Sequence, residues 1–268
     1  MENLFHLELA SRTDPGQVRT QNEDSIAHNL ALGLAILADG MGGYNAGEVA
    51  SGMATALLKS ELENALPKLF SGSGSDLHKL LRDSIQAANT AIFQMAISRQ
   101  QYNGMGTTLV LTVFHGQTLT VAHLGDSRLY RWRANQFEQI TLDHSVLQEQ
   151  INAGVLSAEQ ARNSLHKNLV TRALGVHEIA QPDITDLPIH AGDMYLLCSD
   201  GLSDMVDDQE LAKLLTAHGA DLDFATQELI RQANLNGGRD NVSAILVKVV
   251  ANPNAPPSLV SRFLQWLK

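Results

Sequence analysis

Apolar positions change their period several times along this chain, and the changes mark out its elements. HLELAS near the start alternates apolar and polar residues as an edge strand does, and SIAHNLALGLAILADG reads as two strands meeting near Leu32 and Gly33. From Asn45 to Leu66 the spacing turns helical through Val49, Met53, Ala56, Leu57 and Leu62, and Pro67 is expected to close the helix. SGSGSD is a flexible connector. Beyond it Asp76 is placed to cap a second long helix, reaching about Gln100, with Leu77, Leu81, Ile85, Ala88 and Ile92 on one side.

The Val, Leu and Thr runs of TTLVLTVFHGQTLTVAHLGDSRLYRWRANQFEQIT break at His115-Gly116-Gln117 and Arg133-Ala134-Asn135, which predicts a meander of three consecutive antiparallel strands. His144 to Leu174 is polar and weakly helical, a surface excursion rather than core. MYLLCSDG returns to a buried strand. Short helices near Asp207 to His218 and Asp221 to Asn234 precede a last strand, NVSAILVKVV, and the extended segment ANPNAPPS. Grouped strands without regular strand–helix alternation predict an α+β fold: a β-sandwich of two antiparallel sheets flanked by pairs of antiparallel helices. Residues 1–250 are expected to form one domain, with 251–268 a linker and a short amphipathic helix carrying Leu259, Val260, Phe263, Leu264 and Leu267 on one face.

Composition narrows the function. The chain has 268 residues, of which 44% are hydrophobic, enough for a sizeable core, and a formal net charge of -10. That charge disfavours nucleic acid and anionic membranes as partners, and it means that an acidic protein handling phosphate needs a cation. Cys198 is the only cysteine, which excludes intrachain disulfides and multi-cysteine zinc sites. With neither a basic-then-apolar leader nor an apolar run of about 18 residues, no membrane span is expected and the location is expected to be cytoplasmic.

Carboxylates stand where strands end or begin: Asp39-Gly40 after LGLAILA, Asp126 after HLG, Asp200-Gly201 after MYLLCS, and Asp240-Asn241 before the final strand. Each alone is an ordinary turn. Brought together by a sandwich they would repel unless a multivalent cation lay between them, and an oxygen-only donor set selects Mg or Mn over Zn or Cu.

In order, TDPGQVRTQNEDS, ADGMGGYNAGEVAS, GMGTTLV, HLGDSRLYR, LDHS, LVTRALG, LLCSDGLSDMV and GGRDNVSAILV resemble the successive motifs of the metal-dependent protein phosphatases of type 2C, particularly compact bacterial members, from about Leu9 to Val249. The resemblance implies two Mn or Mg ions at one end of the sandwich. Asp39 would bridge them, Asp200 and Asp240 would complete one, and Glu23 with the Gly40 carbonyl would serve the other. Asp24 and Asn241 would support these ligands from behind, Asp126 with Asp200 would hold a third, weaker ion, and Arg19 would bind the substrate phosphate. Because adjacent side chains of an extended segment point opposite ways, Glu23 and Asp24 would serve different layers of one site.

Two metals about 3.5–4 Å apart activate water for in-line attack on phosphorus, so no protein nucleophile is required. The resemblance implies hydrolysis of phosphoserine and phosphothreonine in protein substrates, opposing a serine/threonine kinase in bacterial signalling; separately, the protein is expected to be a monomer. Two features depart from the family pattern. Met41 stands where some members carry a histidine after Asp-Gly, leaving the leaving-group proton to metal-bound water, with His123 and His144 as alternatives. Within the flap, taken as about 145–170, His166 and Lys167 replace the usual proline and arginine. The alternatives are a catalytically silent phosphoprotein-binding module on the same fold and, disfavoured by charge, a nuclease.

Overall fold

Three buried apolar clusters, separated by two sheets, divide the chain into four layers. A computed structural model describes residues 5–43, 46–71, 76–157 and 169–252. One antiparallel sheet has the spatial order β1 (Phe5–Asp14), β11 (Val242–Ala251), β10 (Met194–Cys198), β7 (Arg128–Arg133) and β8 (Gln136–Gln139). The other runs β2 (Asp24–Asn29), β3 (Leu34–Met41), β5 (Leu109–His115), β6 (Thr118–Leu124) and β9 (Asp183–Pro188), and the two-residue β4 (Gly106–Thr107) pairs with β3.

Strand periodicity explains the layering. Along β3, Ala35 and Leu37 face the other sheet while Leu34, Ile36 and Ala38 face helices. In β10, Tyr195 and Leu197 point inward and Met194, Leu196 and Cys198 outward. Both faces are covered, so these strands read as unbroken apolar runs. Helices α1 (Ala46–Ser71) and α2 (Leu77–Ser98) cover the β3 sheet. The β10 sheet is covered by α5 (Asp208–His218) and α6 (Leu222–Leu235). Two short helices, α3 (Val146–Asn152) and α4 (Asp200–Ser203), lie in connections. The expected helix-flanked sandwich is the observed architecture, and Asp76 caps α2 by accepting from the Lys79 amide at 3.0 Å.

Several details differ from the sequence reading, among them the exposed positions of Ala56 and Leu57 on α1. Helix α1 continues through Pro67 to Ser71, because Leu58, Leu62 and Leu66 are fully buried against the sheet and hold the last turn despite the backbone bond that proline removes. The expected three-stranded meander is two hairpins in different sheets: β5–β6 belong to one, β7–β8 to the other, and Gly125-Asp126-Ser127 carries the chain across. Strand β9 was not predicted; DITDLP pairs at the sheet edge with only one face toward the core, so it lacks a strong apolar run. At the base of the excursion Ser145 and Val170 form an isolated bridge. His166, Lys167 and the 253–268 segment with its expected linker and amphipathic helix lie outside the described residues.

Candidate metal centre

The hairpin of β2 and β3 sets Asp24 directly opposite Asp39 in register. Neighbouring strands anchor the Asp39 backbone: its amide donates to Thr108 Oγ1 at 3.0 Å and its carbonyl accepts from the Thr108 amide at 2.9 Å. Asp24 reaches the other sheet, where its Oδ2 accepts from Ser199 Oγ at 2.8 Å and Ser243 Oγ at 2.6 Å. Asn241 clamps the entry loop. Its Oδ1 accepts from the Glu23 amide at 2.8 Å, and its Nδ2 donates to the carbonyls of Pro15 at 3.0 Å and Gln21 at 2.8 Å.

Glu23 lies beside Gly40, whose amide donates to the Glu23 carbonyl at 3.1 Å. The N-terminus of α1 presses against this pair: a Cβ on Gly47 would lie 2.7 Å from Glu23 Oε2, so only glycine fits there. Asp200 opens α4 directly after β10, and Asp240 precedes β11. Arg19 Nη2 bonds Asp240 Oδ2 at 2.8 Å with about half of its side chain exposed. These bonds join loops far apart in sequence at one end of the sandwich.

Burial and crowding set the electrostatics. Desolvation first, then the charges of Asp24, Asp200, Asp126 and Asp240, holds the Asp39 carboxyl well above the usual range. Asp200 is raised likewise by burial and then by Asp126, Asp204, Asp240 and Asp24. Burial pushes Asp24 up to about 6 against the pull of its hydroxyl partners, and Asp126 up to about 6 with the help of Asp143. Glu23 is raised by burial, with Arg19 opposing. Asp24 Oδ1 is buried and accepts no hydrogen bond. Beside another carboxylate, a shared proton, a water or a cation satisfies that oxygen.

Residues 16–242 match the model of a known family, protein phosphatase 2C. The chain belongs to the protein phosphatase 2C family. It is 38% identical over 240 residues to the serine/threonine phosphatase stp of Listeria welshimeri, covering 88% of this chain and 94% of that one. Serine/threonine phosphatase Stp1 from Staphylococcus aureus superposes with a TM-score of 0.83 at 34% identity, covering 92% of this chain and 97% of that one. The catalytic domain of the serine/threonine protein phosphatase PstP, solved in complex with 2 manganese ions, gives 0.81 at 38% identity, covering 92% and 99%.

In this phosphatase 2C chain the predicted residues Glu23, Asp24, Asp39, Gly40, Asp200, Asp240 and Asn241 meet at one end of the sandwich. Asp126 joins them through the charge it exerts on Asp39 and Asp200. It lies in the crossing loop, two residues before the strand it was expected to begin. Sequence reasoning missed Asp204, which raises both Asp200 and Asp126. The signal was the SDGLSD spacing: four residues on a helical turn place Asp200 and Asp204 on one side. Ser199 and Ser243 left no comparable signal, since small hydroxyls are common in strands. The 480 Å³ cleft lined by Arg12, Asp14, Gln17, Gln227 and Asn234 is formed between β1 and α6, and none of the clustered carboxylates lines it.

Proposed function

We infer that the carboxylate centre of this serine/threonine protein phosphatase holds two Mn or Mg ions, with Asp39 shared between them. Asp200 and Asp240 would complete one ion, Glu23 and the Gly40 carbonyl would serve the other, and Asp126 with Asp200 would hold a third, weaker one. The observation that carries this reading is the orphaned, buried Asp24 Oδ1 amid carboxylates that raise one another. The donor set is all oxygen, as hard divalent cations require. Bound there, such ions supply Lewis acidity that makes water a nucleophile near neutral pH.

The protein's own residues do the rest. Asp24, pinned through one oxygen by Ser199 and Ser243, stands opposite Asp39 with its other oxygen buried. Arg19, beside the centre on Asp240 and half exposed, offers a planar fork to two phosphoryl oxygens of a phosphoserine or phosphothreonine. His123 and His144 are poor leaving-group acids: His123 Nε2 faces the Leu142 carbonyl at 2.9 Å, and His144 bonds Gly125 and Asp183. Burial lowers both imidazoles, favouring the neutral form.

The cellular role we propose is to reverse a serine/threonine kinase in bacterial signalling, acting as a cytoplasmic monomer whose phosphatase unit spans residues 1–250. The bacterial sources of the matching serine/threonine phosphatases support the bacterial setting. Among the described residues no helix is long and apolar enough to cross a membrane.

The test is phosphate release from a phosphothreonine peptide with Mn²⁺, with chelator, and with Asp39→Asn. Loss of about 100-fold or more is expected in both controls. In the chelated protein the same substitution should raise Tm, because the folded state holds Asp39 as a reluctant anion that the unfolded chain accepts easily. Turnover insensitive to chelator and to Asp39→Asn would reject the centre.

A further inference from the structure

Beside the acidic centre stands a second group of titratable side chains that the reaction does not use. The ligating atoms of His123, His144 and Asp183 lie within 4.8 Å of one another, and the two imidazoles stack with centroids 4.6 Å apart. A metal site is one reading of such a trio, but both His144 nitrogens, His123 Nε2 and both Asp183 oxygens already have partners. His123 Nε2 faces the Leu142 carbonyl, His144 Nε2 faces Asp183 Oδ2 at 3.2 Å, and Arg172 Nη1 bonds Asp183 Oδ1 at 3.1 Å. A cation entering here would have to displace or repel the Arg172 guanidinium.

The bonds point elsewhere. The His144 amide donates to the Gly125 carbonyl at 2.9 Å, and the Gly125 amide donates back to His144 Nδ1 at 3.2 Å. A backbone N–H can only donate, so Nδ1 accepts and the ring proton belongs on Nε2, facing Asp183; Arg172 Nη1, also a donor, lies farther from Nε2, at 3.4 Å, than from the Asp183 oxygen it bonds. Burial and the neighbouring His123 keep His144 below the usual imidazole range, consistent with a neutral ring.

Gly125 needs such a hold. Its φ is +99, and a Cβ there would meet Thr108 Cγ2 at 2.7 Å. On the far side of Asp126, Ser127 Oγ shares a 2.7 Å hydrogen bond with Thr108 Oγ1, which also accepts the Asp39 amide. Asp126 is thus gripped from both neighbours. The His144 carbonyl accepts from the Thr171 amide at 2.7 Å, so the same residue fastens the base of the 145–170 excursion.

We propose that His144 is a positioning residue for Asp126: its Nδ1 holds the Gly125 amide, and Asp183, braced by Arg172, fixes the tautomer that makes this possible. The consequence for metal binding rests on the reading of Asp126 as a ligand of the weaker ion. Asparagine places its carboxamide oxygen near the position of Nδ1, whereas glutamine reaches toward Nε2. The full chain carrying His144→Asn, His144→Gln or Asp183→Asn is compared by amide exchange at Gly125 and by Mn²⁺ titration calorimetry.

The expected result is a protected Gly125 amide and near-native Mn²⁺ binding in His144→Asn. In His144→Gln, Gly125 exchanges faster and the weakest Mn²⁺ site loses about 10-fold in affinity. Asp183→Asn shifts both readouts the same way, and decides the matter should the glutamine variant fold poorly. Equal behaviour of the asparagine and glutamine variants, unchanged Gly125 exchange in all three, or an extra ion lost with His144 overturns the proposal. Asp126→Asn separates the two readings: if it leaves Mn²⁺ binding intact, the ligand assignment fails, while Gly125 exchange still decides what His144 does.

Discussion

Arg19 shows how much one side chain's role depends on geometry that its residue type makes available. Its guanidinium already bonds Asp240, so it sits beside the ions' expected position and is oriented before substrate arrives. Lysine would keep the charge and lose the fork. Arg19→Lys should therefore forfeit one charge-assisted hydrogen bond to the phosphoryl group, about 1.5 kcal/mol, or roughly 10-fold in kcat/KM for a phosphothreonine peptide. Steady-state kinetics would check this, and an unchanged kcat/KM would remove Arg19 from the phosphate site. At this scale an acid beside glycine or asparagine at a strand mouth, as at Asp39, Asp200 and Asp240, is visible in one dimension, whereas Glu23 entered through the family resemblance. The sequence was silent on Ser199 and Ser243, whose bonds to Asp24 span 175 and 219 residues.

Elements bring their own constraint, close approach. Helix α1 enters against β3 and Glu23 at Gly47, where alanine would ordinarily favour a helix by about 1 kcal/mol. Here a Cβ would stand 2.7 Å from both Glu23 Oε2 and the Gly40 carbonyl carbon. Gly47→Ala should accordingly lower stability to urea and weaken Mn²⁺ binding together; a stabilised variant with native metal affinity would contradict the contact. At the C-terminal end of β7, Arg133 binds Asp193 through two bonds, at 2.7 and 2.6 Å. Burial alone would raise the Asp193 carboxyl, but Arg133, the His190 amide and the Tyr195 hydroxyl outweigh it and hold the group below its usual range. A depressed carboxylate contributes stability above its unfolded pKa and loses it as pH falls through the folded one. Asp193→Asn should thus lower Tm at neutral pH, with the difference from the native protein shrinking in acid. Element types were legible from period changes. Pro67 and the β6–β7 crossing were not, since burial of Leu66 and the sheet to which a strand belongs are decided by partners distant in sequence.

Over the whole molecule, the metal-free acidic centre opposes folding. Buried carboxylates that raise one another destabilise the metal-free state, and ions that bind only the folded chain stabilise it by mass action. Mn²⁺ at 100 times its dissociation constant should stabilise the protein by about 2.7 kcal/mol per independent site, read as a rise in Tm that chelator reverses. A Tm indifferent to Mn²⁺ would argue against a metal-filled core. The sequence by itself determined the sandwich class and the helix pairs and placed acidic residues at strand ends, because burial on both faces writes itself as unbroken apolar runs, burial on one face as an apolar period, and strand ends as Asp-Gly and Asp-Asn turns. Only the tertiary structure decided which carboxylates share a charge environment, that Asp24 keeps an orphaned oxygen, and that His144 holds Gly125. Those facts depend on distances between loops, and distance across a fold is not encoded in the order of residues along it.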